Sequence, residues 1–305
     1  VILNPAFNNE EIERERRQIL SDIAREKDNL LRKTINIFLE NLFLEHPYKF
    51  SVLGSEENVG GFQKDALEAF YNKVITPENM VISVVGDIES ESALKIIKEK
   101  FGSIKRENFK DLVIKKEAPA HDIRKIIKQE KDKAQTHIIL GFQAPSIYDE
   151  DKYAFEVMNT VLAGQGGRLF LELRDKKSLA YTVTSFQSPG IETGYFGVYI
   201  GTSPDKEKES LDGIKKELKL LLEKGITAEE LDRAKNYIVG TYEIGLQKNS
   251  SQASQITFDE LYGIGWEEYK TYPQDIMAVT KDDVLRVAKK YIDLDAYTLT
   301  IVKPE

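Results

Sequence analysis

The order of helical and extended segments constrains the fold of this chain most. Two pairs of strand-like segments follow residue 122, at 123–129 with 135–142 and at 180–186 with 194–201. The second pair is rich in Tyr, Val, Phe and Thr, which favour strands. The segments between and around the pairs show the apolar spacing of helices, but not a regular strand–helix–strand repeat. This order predicts an α+β fold in which helices cover one face of a largely antiparallel sheet.

The first hundred residues are mainly helical in pattern. Residues 8–45 form one long helical stretch that is broken at most once, and shorter helices are predicted at 63–75 and 89–101. Only residues 80–87, with the sequence MVISVVGD, are predicted to form a buried strand. The polar stretch 103–121 then loses its periodicity, which is typical of a linker.

The pattern restarts after this stretch, and both parts of the chain contain a strand beside a helix that ends in Phe or Tyr. We therefore expect two similar domains, each a mostly antiparallel sheet covered by helices. Their predicted bounds are 1–115 for the first domain, 116–130 for the linker and 131–305 for the second domain. The chain opens on Val-Ile-Leu-Asn-Pro without a signal-peptide pattern. We expect the first domain to be incomplete at its N terminus.

Composition excludes several classes of protein. The 305 residues include no Cys, which excludes disulfides, zinc ribbons, iron–sulfur clusters and cysteine nucleophiles. A net charge of −8 argues against a partner nucleic acid held by phosphate neutralisation. No apolar run approaches the roughly 20 residues of a membrane span. We expect a cytoplasmic or periplasmic protein, although no signal in the sequence decides the compartment.

Metal ligation has little support from residue spacing. His46, His121 and His137 are far apart, and none has a second His four residues away with a Glu between them. Each is expected to be a loop or surface residue. Glu15 and Asp22 are seven residues apart on one predicted helix, so both can lie on the same face. Alternating Arg and Glu around them also fits a solvated charged face.

Two further motifs have a chemical interpretation. The segment 164–168, GQGGR, follows a helix rather than a strand, so a turn between two helices is favoured over a nucleotide loop.

Arg174 and Tyr181 stand at the end of a predicted helix and in the strand after it. A guanidinium and a phenol that converge there could polarise a peptide carbonyl or hold an oxyanion. The alternative is that both simply face solvent.

An ordered series of segments along nearly the whole chain resembles one protein family. The series consists of NPAFNNEEIERERRQILSDI, HPYKFSVLGSEENV, FYNKVITPENMVISVVGDI, KFGSI, NTVLAGQGGRLFLELRDKKSLAYTV and GYFGVYIGTSPDK. Together these segments resemble the pitrilysin/insulinase-type zinc metallopeptidases, in the branch that contains the processing peptidases.

The resemblance implies two similar α+β domains that form the two halves of a clam. In the family, one half carries a zinc-binding His-x-x-Glu-His helix and a more distant Glu ligand. The other half supplies an Arg and a Tyr that hold the substrate peptide. Asp22 matches the third-ligand position, where an Asp replaces the family's Glu, and Glu15 matches a supporting Glu seven residues earlier. Arg174 and Tyr181 match the substrate-holding pair. The His-x-x-Glu-His helix has no counterpart, and it would lie before Val1.

The resemblance favours three functions. The first is a subunit or fragment of a processing-peptidase-like zinc metallopeptidase that binds extended peptides through Arg174 and Tyr181 and is inactive alone. Its partner would be a related chain, in a homodimer or a heterodimer. Zinc is the family's cofactor, and we expect none bound by this chain alone. The second is an authentic zinc endopeptidase whose His-x-x-Glu-His segment lies before Val1. The third is a non-catalytic scaffold subunit.

Overall fold

A computed structural model describes residues 2–104 and 113–305 of the chain. The chain folds into two compact units. The first unit consists of Val1–Arg25, Val52–Val113 and Thr241–Pro273, and the second of Glu26–Ser51, Ile114–Gly240 and Gln274–Glu305. Part of the predicted linker stretch, residues 105–112, lies outside the described residues.

A five-stranded sheet forms the centre of the second unit. The strands are β1 (Arg124–Glu130), β2 (Thr136–Ala144), β3 (Ala180–Ser188), β4 (Gly194–Thr202) and β5 (Thr298–Pro304). Their order across the sheet is β1-β5-β2-β4-β3. Three neighbouring pairs are antiparallel, and β1 with β5 is parallel. The prediction of an α+β fold with a mostly antiparallel sheet is therefore confirmed for this unit.

Helices surround the sheet and also make up most of the first unit. The described α-helices are α1 (Asn9–Asp28), α2 (Leu30–Leu42), α3 (Glu56–Gly61), α4 (Lys64–Val74), α5 (Ser90–Phe101), α6 (Lys152–Leu162), α7 (Glu207–Lys224), α8 (Ala228–Gly245), α9 (Asn249–Leu261), α10 (Glu268–Ala278) and α11 (Lys281–Tyr291). The predicted break in the first long helical stretch falls at Asn29. Its side chain accepts a hydrogen bond from the Arg32 amide at 3.1 Å and caps α2.

Both faces of the sheet are covered, whereas the sequence predicted cover on one face only. Helix α2 packs against β2 and β5, and helices α6, α7 and α11 pack against the sheet as well. On the α2 side, Phe38 belongs to a buried cluster with Ile139 and Tyr199. On the α6 side, the rings of Phe155 and Phe196 are 5.6 Å apart, edge to face. Every residue of β2 is therefore buried, because the side chains on each face of this strand pack against a helix.

Two glycines opposite each other make room for the α2 helix. Gly141 of β2 and Gly197 of β4 are register partners. A Cβ on Gly141 would lie 2.5 Å from Phe38 Cζ, and one on Gly197 would lie 2.6 Å from Phe186 Cζ. The two phenyl rings meet edge to face at 6.3 Å above this gap. The close approach of α2 to the sheet therefore depends on the absence of these two side chains.

The loop after α2 is tied to the segment that precedes β1. The Glu117 carboxylate accepts hydrogen bonds from the successive amides of Leu44, Glu45 and His46, at 2.7, 3.0 and 2.9 Å. Burial acts to raise the pKa of Glu117, but these three hydrogen bonds and the charge of Arg124 lower it below its ordinary value. Residues on both sides of the predicted boundary at 115–116 thus belong to one packed unit. The predicted domain bounds themselves stay a prediction.

The first unit contains few buried apolar side chains. In its described residues, only Ile23 and Val59 among the large aliphatic and aromatic side chains are buried. The predicted strand at 80–87 is wrong: the segment has no ladder partner, and Ile82 and Val84 are exposed. An apolar run becomes a strand only when another strand satisfies its backbone groups, and the described part of this unit contains none. No helix in the described part of the chain is both long and apolar enough to cross a membrane.

The glycine gap under α2 leads to a stability prediction. Gly141→Ala should lower the free energy of unfolding by about 1–3 kcal/mol, because the new methyl group collides with the buried Phe38 ring and with the β4 backbone. Urea unfolding followed by circular dichroism measures this change. Gly240→Ala is the matched control, because nothing lies within 4 Å of a Cβ at this helical position. That variant should be neutral or slightly stabilised. Equal effects at the two positions would contradict the packing role of Gly141.

Candidate functional site

Arg174 and Tyr181 meet at the start of the edge strand β3, as the sequence suggested they could. The guanidinium carbon of Arg174 lies 5.2 Å from the centre of the Tyr181 ring. It also lies 4.5 Å from the centre of the Phe170 ring, four residues earlier. Arg174 is half-buried, whereas Tyr181 is 79% exposed. The two aromatic contacts orient this cation.

Arg174 lies on a short π-helix, Phe170–Lys176, where an ordinary helix was predicted. Leu173 anchors this helix in the core, fully buried against Gly213 of α7. The helix ends at Lys176, and Ser178 shortly after it has a φ of +52°, which is rare for a residue other than glycine. The Leu179 amide then donates to the Leu173 carbonyl at 2.9 Å. Wide turns of this kind occur often at functional sites, because they change the direction of side chains without ending the helix.

Tyr181 occupies a β-bulge. Ala180 faces Thr202 of β4 and Thr182 faces Gly201, so Tyr181 is an extra residue with no partner in the ladder. The strand start before it is fixed by Thr202 Oγ1, which donates to the Leu179 carbonyl at 2.6 Å. A bulge bends its strand and redirects the extra side chain. It explains why Tyr181 is exposed beside a buried core.

The glycine turn before the π-helix is held by a partly buried ion pair. Arg168 binds both carboxylate oxygens of Glu230 at 2.6 Å and the Gly225 carbonyl at 2.9 Å. Glu230 also accepts from the Thr227 amide at 2.8 Å, and its own amide donates to Thr227 Oγ1 at 3.2 Å, which together form a capping box at the start of α8. Burial acts to raise the pKa of Glu230, but the hydrogen bonds from Arg168 and Thr227 lower it below its ordinary value. The turn therefore joins two helices, as predicted, and Arg168 fixes it to α8.

Glu15 and Asp22 lie on α1 in the first unit, and both are paired with arginines. Glu15 is exposed and accepts from Arg14 Nη2 at 3.3 Å. Asp22 accepts from Gln18 Nε2 at 3.1 Å and from Arg25. Across residues 2–104 and 113–305, no three His, Cys, Asp or Glu side chains are grouped so that they could hold a metal ion. The donor set of the described residues therefore does not fit a zinc ion, and the zinc roles of Asp22 and Glu15 stay predictions.

Comparison with known proteins gives the family. The family model described as "Peptidase M16 inactive domain" matches residues 61–238, which is more than half of the chain. The chain belongs to this family. The resemblance to zinc metallopeptidases stated from the sequence is thereby confirmed.

The relatives of this M16 chain are longer than the chain itself. An uncharacterized zinc protease of Streptomyces coelicolor is 30% identical over 290 residues, which are 92% of this chain and 62% of that protein. The uncharacterized zinc protease YmxG of Bacillus subtilis is 28% identical over 308 residues, 100% of this chain and 73% of that protein. The chain thus spans about two thirds of the length of these curated relatives. Zinc is associated with the family through their names.

Solved structures confirm the M16 fold. A protease from Helicobacter pylori superposes on this chain with a TM-score of 0.88 at 22% identity. The superposed region covers 97% of this chain and 73% of the Helicobacter pylori chain. A peptidase M16 inactive domain from Pseudomonas fluorescens gives a TM-score of 0.86 at 23% identity. The superposed region covers 99% of this chain and 72% of the Pseudomonas fluorescens chain. At these identities the likeness concerns the fold alone.

The three histidines of this M16 chain take different positions. His121 is exposed, as predicted. His137 is buried in β2, contrary to the prediction, and its Nδ1 lies 2.9 Å from the Tyr199 hydroxyl. Burial lowers the pKa of His137 and raises that of Tyr199 to about 12, so this pair stays neutral around pH 7. His46 lies in a loop but is buried, with Nε2 3.4 Å from a Glu192 carboxylate oxygen.

Two contacts at this site were not predicted from the sequence. Phe170 precedes Arg174 by four residues, and this spacing places their side chains on one helical face. The four-residue spacing in the sequence is the signal that indicates this contact. The Arg168–Glu230 pair joins positions 62 residues apart, and no local pattern marks it.

The Arg168–Glu230 pair leads to a pH prediction. Because the folded pKa of Glu230 is lowered, its stabilisation is complete above the unfolded carboxyl pKa of about 4.3 and is lost as the pH falls below it. Glu230→Gln should lower the free energy of unfolding by about 2–3 kcal/mol at pH 7. The gap between the two proteins should shrink towards pH 3, as measured by urea unfolding over this range.

Glu223→Gln serves as the control for this experiment. Glu223 forms an exposed pair with Lys219 on α7, and such pairs add little to stability. A gap between wild type and Glu230→Gln that stays constant with pH would show that ionised Glu230 does not stabilise the fold.

Proposed function

We propose that this chain is the substrate-holding part of a processing-peptidase-like zinc metallopeptidase, and that it is not catalytic alone. One observation carries the proposal: a bulge on an edge strand turns Tyr181 outward beside a cation held between two rings. The M16 family and relatives named zinc proteases support the reaction class.

An extended peptide is the substrate that an edge strand can accept. Within the described residues, β3 pairs with β4 on one side, and its other side has no strand partner. The outer row of amides and carbonyls on such a strand can hydrogen-bond to a peptide backbone. The Arg174–Tyr181 pair stands at the N-terminal end of this row. A peptide that pairs with β3 would therefore bring one of its carbonyls near these two side chains.

The Arg174 guanidinium and the Tyr181 hydroxyl are both hydrogen-bond donors. Directed at a peptide carbonyl, they would polarise it and stabilise negative charge that develops on its oxygen. Phe170 limits the freedom of the guanidinium, which reduces the cost of orienting it. Because the described donor set does not fit zinc, hydrolysis itself is assigned to a zinc-bearing partner. That partner would be a related chain, in a homodimer or a heterodimer.

A mixing experiment tests the proposal. The chain alone should bind no zinc and cleave no peptide, and cleavage should appear when a zinc-bearing M16 partner is added. Tyr181→Phe and Arg174→Ala should each lower kcat by about 10- to 1000-fold, because each removes a donor to the reacting carbonyl. Steady-state cleavage of a fluorogenic peptide, together with metal analysis of each chain, measures these effects.

Lys176→Gln is the matched control, since Lys176 lies on the same π-helix, is exposed and pairs with Glu172. Its cleavage rate should equal that of the wild type. Full activity of both site variants would contradict the proposal. A chain that carries both Arg174→Ala and Tyr181→Phe extends this test. If that double variant still assembled with the partner and bound peptide as the wild type does, the scaffold role would replace the substrate-holding role.

A second candidate is an authentic zinc endopeptidase whose His-x-x-Glu-His segment lies before Val1. It is favoured by the greater length of the relatives named zinc proteases. The sparse core of the first unit, with Ile82 and Val84 exposed, is also consistent with a further segment that packs on it.

This candidate predicts that the full encoding gene contains the His-x-x-Glu-His motif upstream of Asn4. It also predicts one bound zinc per chain and peptidase activity without a partner in the full gene product. Plasma emission spectrometry measures the metal. A complete reading frame that lacks the motif, or a full-length product without zinc, would eliminate the candidate.

A further inference from the structure

A chain of two buried hydroxyl groups ends at the carbonyl just before the bulge. Ser210 Oγ on α7 donates to Thr202 Oγ1 at 3.1 Å, and Thr202 Oγ1, at the end of β4, donates to the Leu179 carbonyl at 2.6 Å. Ser210 is 0% exposed and Thr202 is 2% exposed, so water does not compete for either bond. A hydroxyl that donates and accepts at once strengthens both of its hydrogen bonds. The two side chains therefore link α7 to the start of β3.

The Leu179 peptide group stands where regular pairing is interrupted. Thr202 faces Ala180 in the ladder, and the next ladder pair skips Tyr181. The Leu179 amide is already tied to the π-helix, because it donates to the Leu173 carbonyl at 2.9 Å. The Thr202 hydroxyl fixes the carbonyl of the same residue. Both polar groups of Leu179 are thus held, and they determine the direction in which the chain enters the bulge.

Helix α7 has a face that suits this role. Ser210 and Gly213 are three residues apart and lie on one side of the helix. A Cβ at Gly213 would lie 2.7 Å from Leu173 Cδ2 and 3.6 Å from Leu179 Cδ1. The absence of a side chain at this position lets both leucines pack on α7. The helix therefore supports Leu179 twice, through apolar packing at Gly213 and through the hydroxyl chain that starts at Ser210.

The bulge transmits this constraint to the candidate site. Tyr181 follows Leu179 by two residues, and its ring centre lies 5.2 Å from the Arg174 guanidinium carbon. Because Tyr181 is outside the ladder, the peptide groups before it fix the direction of its side chain. A shift of the Leu179 carbonyl would change the direction of the Tyr181 hydroxyl and its contact with Arg174. Within residues 2–104 and 113–305, the two buried hydroxyl groups form no hydrogen bond with the phenol or with the guanidinium.

We propose that Thr202 and Ser210 are positioning residues that orient Tyr181 through the peptide group before the bulge. This proposal rests on the proposed role of the Arg174–Tyr181 pair in holding a peptide carbonyl. Without the hydroxyl chain, a peptide would still pair with β3, because the ladder between β3 and β4 continues beyond the bulge. The carbonyl to be polarised would, however, meet its two donors in the wrong orientation. Loss of the chain should therefore lower kcat and leave KM unchanged.

The orientation is measured on the 15N-labelled 305-residue chain without a partner. The Arg174 guanidinium lies near two aromatic rings, and their ring currents shift the signal of its Nε–H group. Tyr181→Leu removes one ring and gives the signal expected once that contact is lost. Thr202→Val should move the signal in the same direction. Ser210→Ala should move it less, because the bond from Thr202 to the Leu179 carbonyl remains. Thr202→Ser keeps the hydroxyl and should keep the wild-type signal.

Thr300→Val is the matched control for the loss of a buried hydroxyl. Thr300 is fully buried in β5 of the same sheet, and its Oγ1 has no hydrogen-bond partner in the described part of the chain. This variant should leave the Arg174 signal unchanged. Circular dichroism and the remaining amide signals verify the fold of each variant. An Arg174 signal that keeps its wild-type position in Thr202→Val would overturn the proposal. If that variant does not fold, the same criterion applies to Ser210→Ala.

Kinetics with a zinc-bearing M16 partner test the consequence for cleavage. Thr202→Val should lower kcat about 10- to 100-fold at unchanged KM, and Thr202→Ser should recover most of the wild-type rate. Thr300→Val should cleave at the wild-type rate. A shifted Arg174 signal together with a wild-type kcat would overturn the positioning role. No cleavage by the wild type with its partner would instead contradict the proposed function, and the Arg174 signal would still decide whether the hydroxyl chain orients Tyr181.

Discussion

Burial of β2 and β4 on both faces is the constraint on which the second unit depends. Once α2 covers one face and α6, α7 and α11 the other, the two strands have no freedom to slip in register. The gap over Gly141 and Gly197 sets how closely α2 approaches. Among the described strands, β3 pairs only with β4, so β4 fixes its position. The backbone groups on the outer edge of β3 have no strand partner among the described residues.

The candidate site is built where this rigid sheet meets an irregular segment. Leu173 in the core and the Arg168–Glu230 pair fix the two ends of the segment that carries Arg174. The π-helix, the left-handed Ser178 and the bulge at Tyr181 follow within twelve residues. Each is a departure from regular geometry, and departures persist only where their surroundings hold them in place. Such a cluster is consistent with a site in which the Arg174 and Tyr181 side chains must be held in defined directions.

Much of this could be predicted from the sequence, and the misses have physical causes. The helices of the first hundred residues and four of the five strands of the sheet follow from local periodicity and end signals. The strand expected at 80–87 did not form, because a strand needs a partner strand, and an apolar run in the sequence does not show whether one is present. His137 lies buried for a similar reason, since its burial depends on α2 covering the sheet. The closeness of Arg174 and Tyr181 was anticipated as a possibility, whereas the bulge that exposes Tyr181 depends on pairing with β4.

The bulge also separates two selective pressures on β3. In a regular strand, side chains alternate between the two faces of the sheet, so an insertion or deletion of one residue moves every later side chain to the opposite face. The direction of an extra residue outside the ladder is not fixed by this alternation. The sheet could therefore accept new core residues during evolution without redirecting Tyr181. Loss of that single residue would restore a continuous ladder and remove the phenol from the surface, with the rest of the strand unchanged.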